Sequence, residues 1–361
     1  MRTKWAVLIG SLFAAAAVYA ESTPKEALLV LSKGDHTLAI VDPSSLKAIA
    51  KAPVGEDPHE VIASTDGKVA YVSNYGGGRY NTLAVIDLME QKALPSINLG
   101  PLRGPHGLIF VGGKTWFTAE AAKAIGRYDP ATKKVDWILG TGQNRTHMIY
   151  VSDDMKRIVT TNVASATVSI IEKTTRPIGF GPGPGGPPNG PGGPPPGMPP
   201  GRGGPPMGPP GGDWDETVVP VGKGSEGFDI SPDGKEIWTA NAGNGTVSVI
   251  DFSTKELVQT LDANVRSANR LKFTPDGKLV FISMLGNSDV VILDAATRKE
   301  VKRVKIGHGA AGILMRPDGS RAYVACTPDN YVAVIDLKSL EITGHIDAGP
   351  GPDGLAWAVE R

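Results

Sequence analysis

Apolar and polar residues alternate in short runs along most of this chain, and the runs come in groups of four. Ile237-Trp-Thr-Ala-Asn241 leads through a short polar loop into Thr246-Val-Ser-Val-Ile-Asp251, and a more charged run follows at 256–261. Period-two alternation over runs of this length predicts β-strands, because successive strand side chains point to opposite faces. The same unit recurs at 280–284, 289–294 and 300–306, and again at 322–326, 331–336 and 341–346. A Pro-Asp-Gly turn opens each of these three units, at Pro232, Pro275 and Pro317. Glycine there supplies the left-handed backbone that a tight hairpin needs. Four short strands in a repeating unit of roughly forty residues are the signature of a propeller blade.

Counting fixes the register. From the start of each innermost strand to the residue closing the second, His59 to Asn74, His147 to Asn162, Glu226 to Asn241, Asn269 to Met284 and Ala311 to Cys326 are each 15 residues apart, and His106 to Glu120 is 14. Starts at 59, 106, 147, 226, 269, 311 and 353 give seven blades. One step is anomalous, the 79 residues from His147 to Glu226, and it contains an insertion at 174–213. The seventh unit keeps only its innermost strand, 353–359, while three unassigned strands at 27–32, 37–42 and 46–54 precede the first complete unit. The predicted fold is an all-β, seven-bladed β-propeller of four-stranded blades, its ring closed by N- and C-terminal strands sharing one blade. Such closure leaves no unpaired inner edge.

Residues 1–20 read as a secretory signal: Arg2 and Lys4, an apolar run from Trp5 to Val18, and a small-residue cleavage site ending at Ala20. The expectation is a single mature domain at 21–361, periplasmic or secreted, monomeric, with no membrane span. Lys plus Arg equals Asp plus Glu at 37 each, and aromatics are 6%, so neither charge nor stacking surface points to nucleic acid. Losing Arg2 and Lys4 leaves 35 bases against 37 acids, a charge near −2. With Cys326 the only cysteine, neither an internal disulfide nor a Cys-x-x-Cys-His haem attachment is available. The insertion is nearly all Gly and Pro from 179 to 212, a composition that cannot build a core. It is expected to be a disordered loop at the outer rim, on the face opposite the funnel.

The run from Ile237 to Asp251 resembles the YVTN family of β-propeller repeats, as do Tyr71-Val-Ser-Asn74 and Tyr323-Val-Ala-Cys326. The resemblance covers nearly all of the mature chain except the insertion. It implies the fold and leaves the activity open, because that family spans surface-layer, quinoprotein-like and lactonase-like members. In the second unit, Gly104-Pro-His-Gly-Leu108, Trp116-Phe-Thr118 and 125–132 are similar to repeats of virginiamycin B lyase, which implies a histidine and a Mg²⁺-binding glutamate. In that pattern the glutamate directly follows Trp-Phe-Thr; here Ala119 comes before Glu120.

In a propeller, innermost strand starts and second strand ends share one face, around the mouth of the central channel. One predicted ring is therefore His59, His106, His147, Glu226, Asn269, Ala311 and Asp353. The other is Asn74, Glu120, Asn162, Asn241, Met284, Cys326 and Lys33. His59, His106 and His147 sit on consecutive blades, about 50° apart around the axis, and are candidate ligands of one divalent metal ion with an open position for water. Glu120 and Glu226 are candidate catalytic residues: a fourth ligand, an orienting group or a general base. Imidazole with carboxylate suits Zn²⁺, Cu²⁺, Mn²⁺ or Fe²⁺ alike. Asn74, Asn162, Asn241, Asn269, Cys326 and Asp353 complete the candidate funnel, although Asn also suits a loop cap, and duplication alone repeats a histidine. The third-strand Asp residues (Asp42, Asp87, Asp129, Asp251, Asp294 and Asp336) read as turn-forming. Three functions follow as expectations: binding of a small ligand, with or without a metal; a metal-assisted lactonase-like hydrolase or lyase; and an accessory subunit of a periplasmic redox enzyme, docking another protein.

Overall fold

Each predicted unit forms a four-stranded antiparallel sheet, and seven such sheets make the propeller. The computed structural model describes residues 22–174 and 214–361. The innermost strands of blades 1 to 7 are Pro58–Ala63, Pro105–Val111, Thr146–Val151, Ser225–Ile230, Ala268–Phe273, Ala310–Met315 and Pro352–Val359. In blade 7, Pro352–Val359 pairs with Glu26–Ser32, followed outward by Thr37–Asp42 and Lys47–Pro53, so the termini close the ring as expected. The segment expected to be a secretory signal and, apart from Thr174, the Gly/Pro-rich stretch lie outside the described residues. The strands that flank the stretch, Thr167–Lys173 and Trp214–Pro220, pair with Lys173 opposite Trp214. Among the described residues no helix is long and apolar enough to cross a membrane.

Second and third strands are buried almost throughout, because each blade is covered on both faces by its neighbours. The core therefore lies between blades. Leu29, Leu31, Leu38 and Ile40 of blade 7, for instance, pack with Val61, Val72 and Ile86 of blade 1. The outermost strands are largely exposed, as in Glu256–Asp262. At the ends of third strands the Asp carboxylates accept backbone N–H groups of the next turn: Asp87 from Met89 (3.0 Å) and Glu90 (2.9 Å), Asp336 from Lys338 (3.0 Å) and Ser339 (2.8 Å).

The register agrees with the counting in five blades, where Asn74, Asn162, Asn241, Met284 and Cys326 lie opposite the residue just before the ring position. Two blades differ. Ala119 pairs with Pro105, and Ser32 pairs with Pro352, so Glu120 and Lys33 stand one residue beyond the second-strand position. Every innermost strand carries a β-bulge at the ring residue and its successor, for example between Pro58 and Val61 and between Ala268 and Leu271. A bulge bends the strand and re-aims side chains, so both residues of the bulge can face the channel.

Candidate functional site

The bulges are held by hydroxyls of the second strands. Thr118 Oγ1 accepts the N–H of Gly107 (2.9 Å) and donates to the carbonyl of His147 on the next blade (2.6 Å). Thr161 Oγ1 accepts the N–H of Met148 (3.3 Å) and donates to the carbonyl of Glu226 (2.9 Å). Ser283 does the same between Arg270 (3.1 Å) and Ala311 (2.6 Å). Adjacent innermost strands come so close that a Cβ on Gly107 would stand 2.6 Å from the His147 carbonyl, and one on Gly354 2.4 Å from that of His59.

All seven residues of the first predicted ring, His59, His106, His147, Glu226, Asn269, Ala311 and Asp353, line one cavity of about 350 Å³ at the channel mouth. The second ring is placed differently. Asn162 and Asn241 turn their amides toward the third strand, donating to Thr167 and Ser169 and to Thr246 and Ser248, and Asn74 donates to Thr82. Cys326 is buried with its thiol on the Ile306 carbonyl at 3.5 Å, and burial pushes that thiol up to about 12. None of these four lines the cavity. Lys33 of the same predicted ring does line it, as do Tyr75, Leu285 and Thr327, each one step beyond a predicted position. In those three blades the last paired residue faces the neighbouring blade and the next is the first to turn inward.

The histidines form a stack, with ring centroids 5.0 Å apart for His59 and His106 and 3.8 Å for His106 and His147. They do not share one centre. Lys33 Nζ lies 2.9 Å from His59 Nδ1 and 3.0 Å from Nε2, and Asp57 is 3.3 Å from the same ring. Among the described residues, the one grouping whose donor atoms converge closely enough for an ion, within 4.8 Å of one another, is His106, Glu120 and His147, all buried. The metal set expected from the repeat is thus rearranged: Glu120 stands with two of the histidines, and His59 belongs to a neighbouring cluster.

His147 lies between two carboxylates. Its Nδ1 bonds Glu120 Oε1, and its Nε2 is 3.1 Å from Glu226 Oε1. Tyr75 donates to the other oxygen of Glu120, and Arg145 Nε approaches that oxygen at 3.6 Å. Tyr75, Glu120 and His147 are thus joined by hydrogen bonds across blades 1 to 3, and Glu226 of blade 4 stands at ion-pair distance from His147 Nε2 without hydrogen-bond alignment. Burial opposes charge on His147, but Glu226 and Glu120 outweigh it and raise its pKa. Burial likewise opposes ionisation of Glu226, yet His147, Arg270 and Arg145 hold it down at about 2. His106 behaves oppositely, since burial and the nearby cations push it well below the ordinary value and keep it neutral, and its Nδ1 is buried without a hydrogen-bond partner. Asn269 Oδ1 is buried and unpartnered in the same way.

Several of these groups escaped the repeat alignment. Arg270 bonds Glu60, which lies on a blade three steps round the ring, so the pair crosses the channel, and Arg270 lines the cavity. Both follow a ring residue directly, and the bulge is what brings them inward. Asp57 and Arg145 stand two residues before ring positions with left-handed backbone, φ 47° and 55°, where blades 2, 4, 6 and 7 have Gly104, Gly224, Gly309 and Gly351. A non-glycine residue at such a position was the available signal. His36 and His345 are exposed and do not line the cavity.

One family model matches the chain. It is that of the cytochrome D1 heme domain, over residues 213–314. No curated protein sequence matches. Among solved structures, a Bacteroides uniformis protein named provisionally as a 6-phosphogluconolactonase is 14% identical with a TM-score of 0.67, over 92% of this chain and 99% of that one. Dihydro-heme d1 dehydrogenase is 14% identical with a TM-score of 0.60, over 94% of this chain and 67% of that one. Hydrazine synthase from Kuenenia stuttgartiensis is 16% identical with a TM-score of 0.61, over 83% of this chain and 89% of that one. Identities this low speak for the fold, a seven-bladed propeller with cytochrome D1-type and lactonase-like neighbours.

Proposed function

We propose that this is an extracytoplasmic propeller of the YVTN type whose funnel binds a small molecule through one divalent ion held by His106, Glu120 and His147. The observation that carries the reading is this buried donor group, whose two histidines line a cavity of about 350 Å³. That volume is at the low end for small-ligand sites. A concentration of desolvated charge costs stability unless its groups are paired, and perturbed groups gathered in a cleft mark functional sites. The unpartnered His106 Nδ1 suits a ligand nitrogen, and a bound ion would supply Lewis acidity and acidify a bound water. Metal-free protein is expected to take up about one equivalent of Zn²⁺. His106→Ala and Glu120→Gln should each weaken uptake at least tenfold, and His59→Ala should leave it within about twofold. Titration calorimetry that finds no stoichiometric uptake would remove the metal and leave a polar binding mouth.

A second reading, a metal-assisted lactonase-like hydrolase or lyase, is favoured by the run from Tyr75 to Glu226, in which His147, its pKa raised by Glu226 and Glu120, sits between two carboxylates as a candidate proton carrier. Glu226→Gln would then lower turnover more than ion affinity.

The family match also raises a tetrapyrrole, and with it a role beside redox enzymes. The funnel residues do not fit one. The cavity of about 350 Å³ is at the low end even for small ligands, and the buried His106 is packed among His59, Tyr75 and His147 at centroid distances of 5.0, 5.2 and 3.8 Å, side chains that a macrocycle would have to displace. The Glu60–Arg270 pair also crosses the channel. Docking to a periplasmic redox partner then has only the likeness of fold in its support.

A further inference from the structure

The cluster on blades 7 and 1, beside the proposed ion, has a geometry of its own. Three residues surround the ammonium of Lys33: His59, whose ring nitrogens lie at 2.9 and 3.0 Å and of which one can accept, Asp353 with Oδ2 at 3.1 Å and Asp57 with Oδ1 at 3.2 Å. These residues come from separate places in the sequence. Asp57 precedes the innermost strand of blade 1 in left-handed backbone, His59 is on its bulge, and Asp353 is the ring residue of blade 7. Imidazole with two carboxylates is a donor set for a divalent transition ion, although here its atoms stand further apart than those of His106, Glu120 and His147 and would have to move inward to hold one. The spacing suits an ammonium, at about 2.7–3.2 Å, and a metal would need the donors to close to about 2.0–2.2 Å.

We propose that His59, Asp57 and Asp353 form a second cation site of the funnel, filled by the tethered ammonium of Lys33, which limits the wild-type protein to one exchangeable ion. This rests on the funnel being a cation-binding site, as in the function proposed above. In two-metal sites the second ion stabilises charge on the same bound ligand. A tethered ammonium supplies a fixed charge in that role, without exchange and without Lewis acidity. Lys33 is in this sense a specificity-determining residue: it keeps His59 from joining the ligands of the exchangeable ion and separates the repeat-related histidines into two roles.

The test is Zn²⁺ stoichiometry on metal-free protein, by calorimetry. Wild type should take one equivalent, Lys33→Ala two, and the Lys33→Ala, His59→Ala double variant one. Lys33→Gln, which keeps a polar side chain but no charge, should behave as Lys33→Ala does. If Lys33→Ala is unfolded without metal, Zn²⁺ should refold it, read by circular dichroism, because the ion replaces the missing charge. Uptake by Lys33→Ala no greater than that of wild type, an extra equivalent indifferent to His59→Ala, or a failure of Zn²⁺ to refold the variant each overturns the proposal. Should wild type bind none and Lys33→Ala one, lost again with His59→Ala, the second site stands and the ion at His106, Glu120 and His147 falls.

Discussion

His147 is held from both sides, and its two carboxylates give the funnel a pH dependence of definite sign. Glu226 has a folded pKa of about 2 against an ordinary 4.5. A depressed carboxylate stabilises the fold fully above its ordinary value and loses that contribution as pH falls through the folded one. Urea midpoints of the wild type should therefore decline between about pH 4.5 and pH 2 more steeply than those of Glu226→Gln; parallel declines would count against the His147–Glu226 contact. His147 is raised, so its contribution runs the other way, complete below its ordinary 6.5 and lost as pH rises through the folded value. An ion that takes His147 as a ligand must displace that proton. Zn²⁺ uptake should accordingly release protons and weaken with falling pH at a higher pH than it would for an unperturbed histidine.

At the scale of the strand, the repeated device is the bulge with its hydroxyl latch. Thr118 joins the N–H of Gly107 to the carbonyl of His147, so it fixes the ring residues of two blades at once. Thr118→Val keeps the shape and leaves both backbone groups buried without partners, at a cost of about 1–3 kcal/mol. The loss should be accompanied by weaker ion binding, because His147 shifts. A thermal melt and a Zn²⁺ titration on the one variant check both, and unchanged uptake would show that the latch does not position the site. Gly107→Ala presses a Cβ on the His147 carbonyl and should cost about 3 kcal/mol.

Over the whole molecule, closure depends on two long-range connections. The strand Pro352–Val359 completes the blade begun by Glu26–Ser32, so truncation after Gly351 should destabilise the entire ring, and an unchanged denaturant midpoint would refute this. The Glu60–Arg270 pair joins blades 1 and 5 across the channel. Arg270→Met leaves a buried carboxylate alone and should cost about 3–5 kcal/mol, most of it recovered in the Glu60→Leu, Arg270→Met double variant, since replacing a whole buried pair is close to neutral. Lys173 and Trp214 face each other across paired strands. A short Gly-Ser linker in place of 175–212 should therefore leave the melting temperature nearly unchanged, closure entropy growing only logarithmically with length.

The fold was legible in the chain because the blades satisfy the same local conditions: a two-residue period, an apolar pair of middle strands and, in most of them, a turn glycine. Repetition of those conditions at 59, 106, 147, 226, 269, 311 and 353 was enough to give the blade number, the shared blade and the first ring of the funnel. The second ring was misread at Asn74, Asn162, Asn241 and Cys326, because a count along the chain locates a strand end and not the residue at which the twist turns a side chain inward. Partners were beyond the sequence altogether. Glu60 with Arg270, Lys33 with Asp353, and Glu120 with His147 are separated by long stretches of chain and meet only because the ring closes. Local propensity repeats with the unit, whereas the choice of which charge faces which across the channel belongs to the closed ring, and that choice divided three equivalent histidines between two clusters.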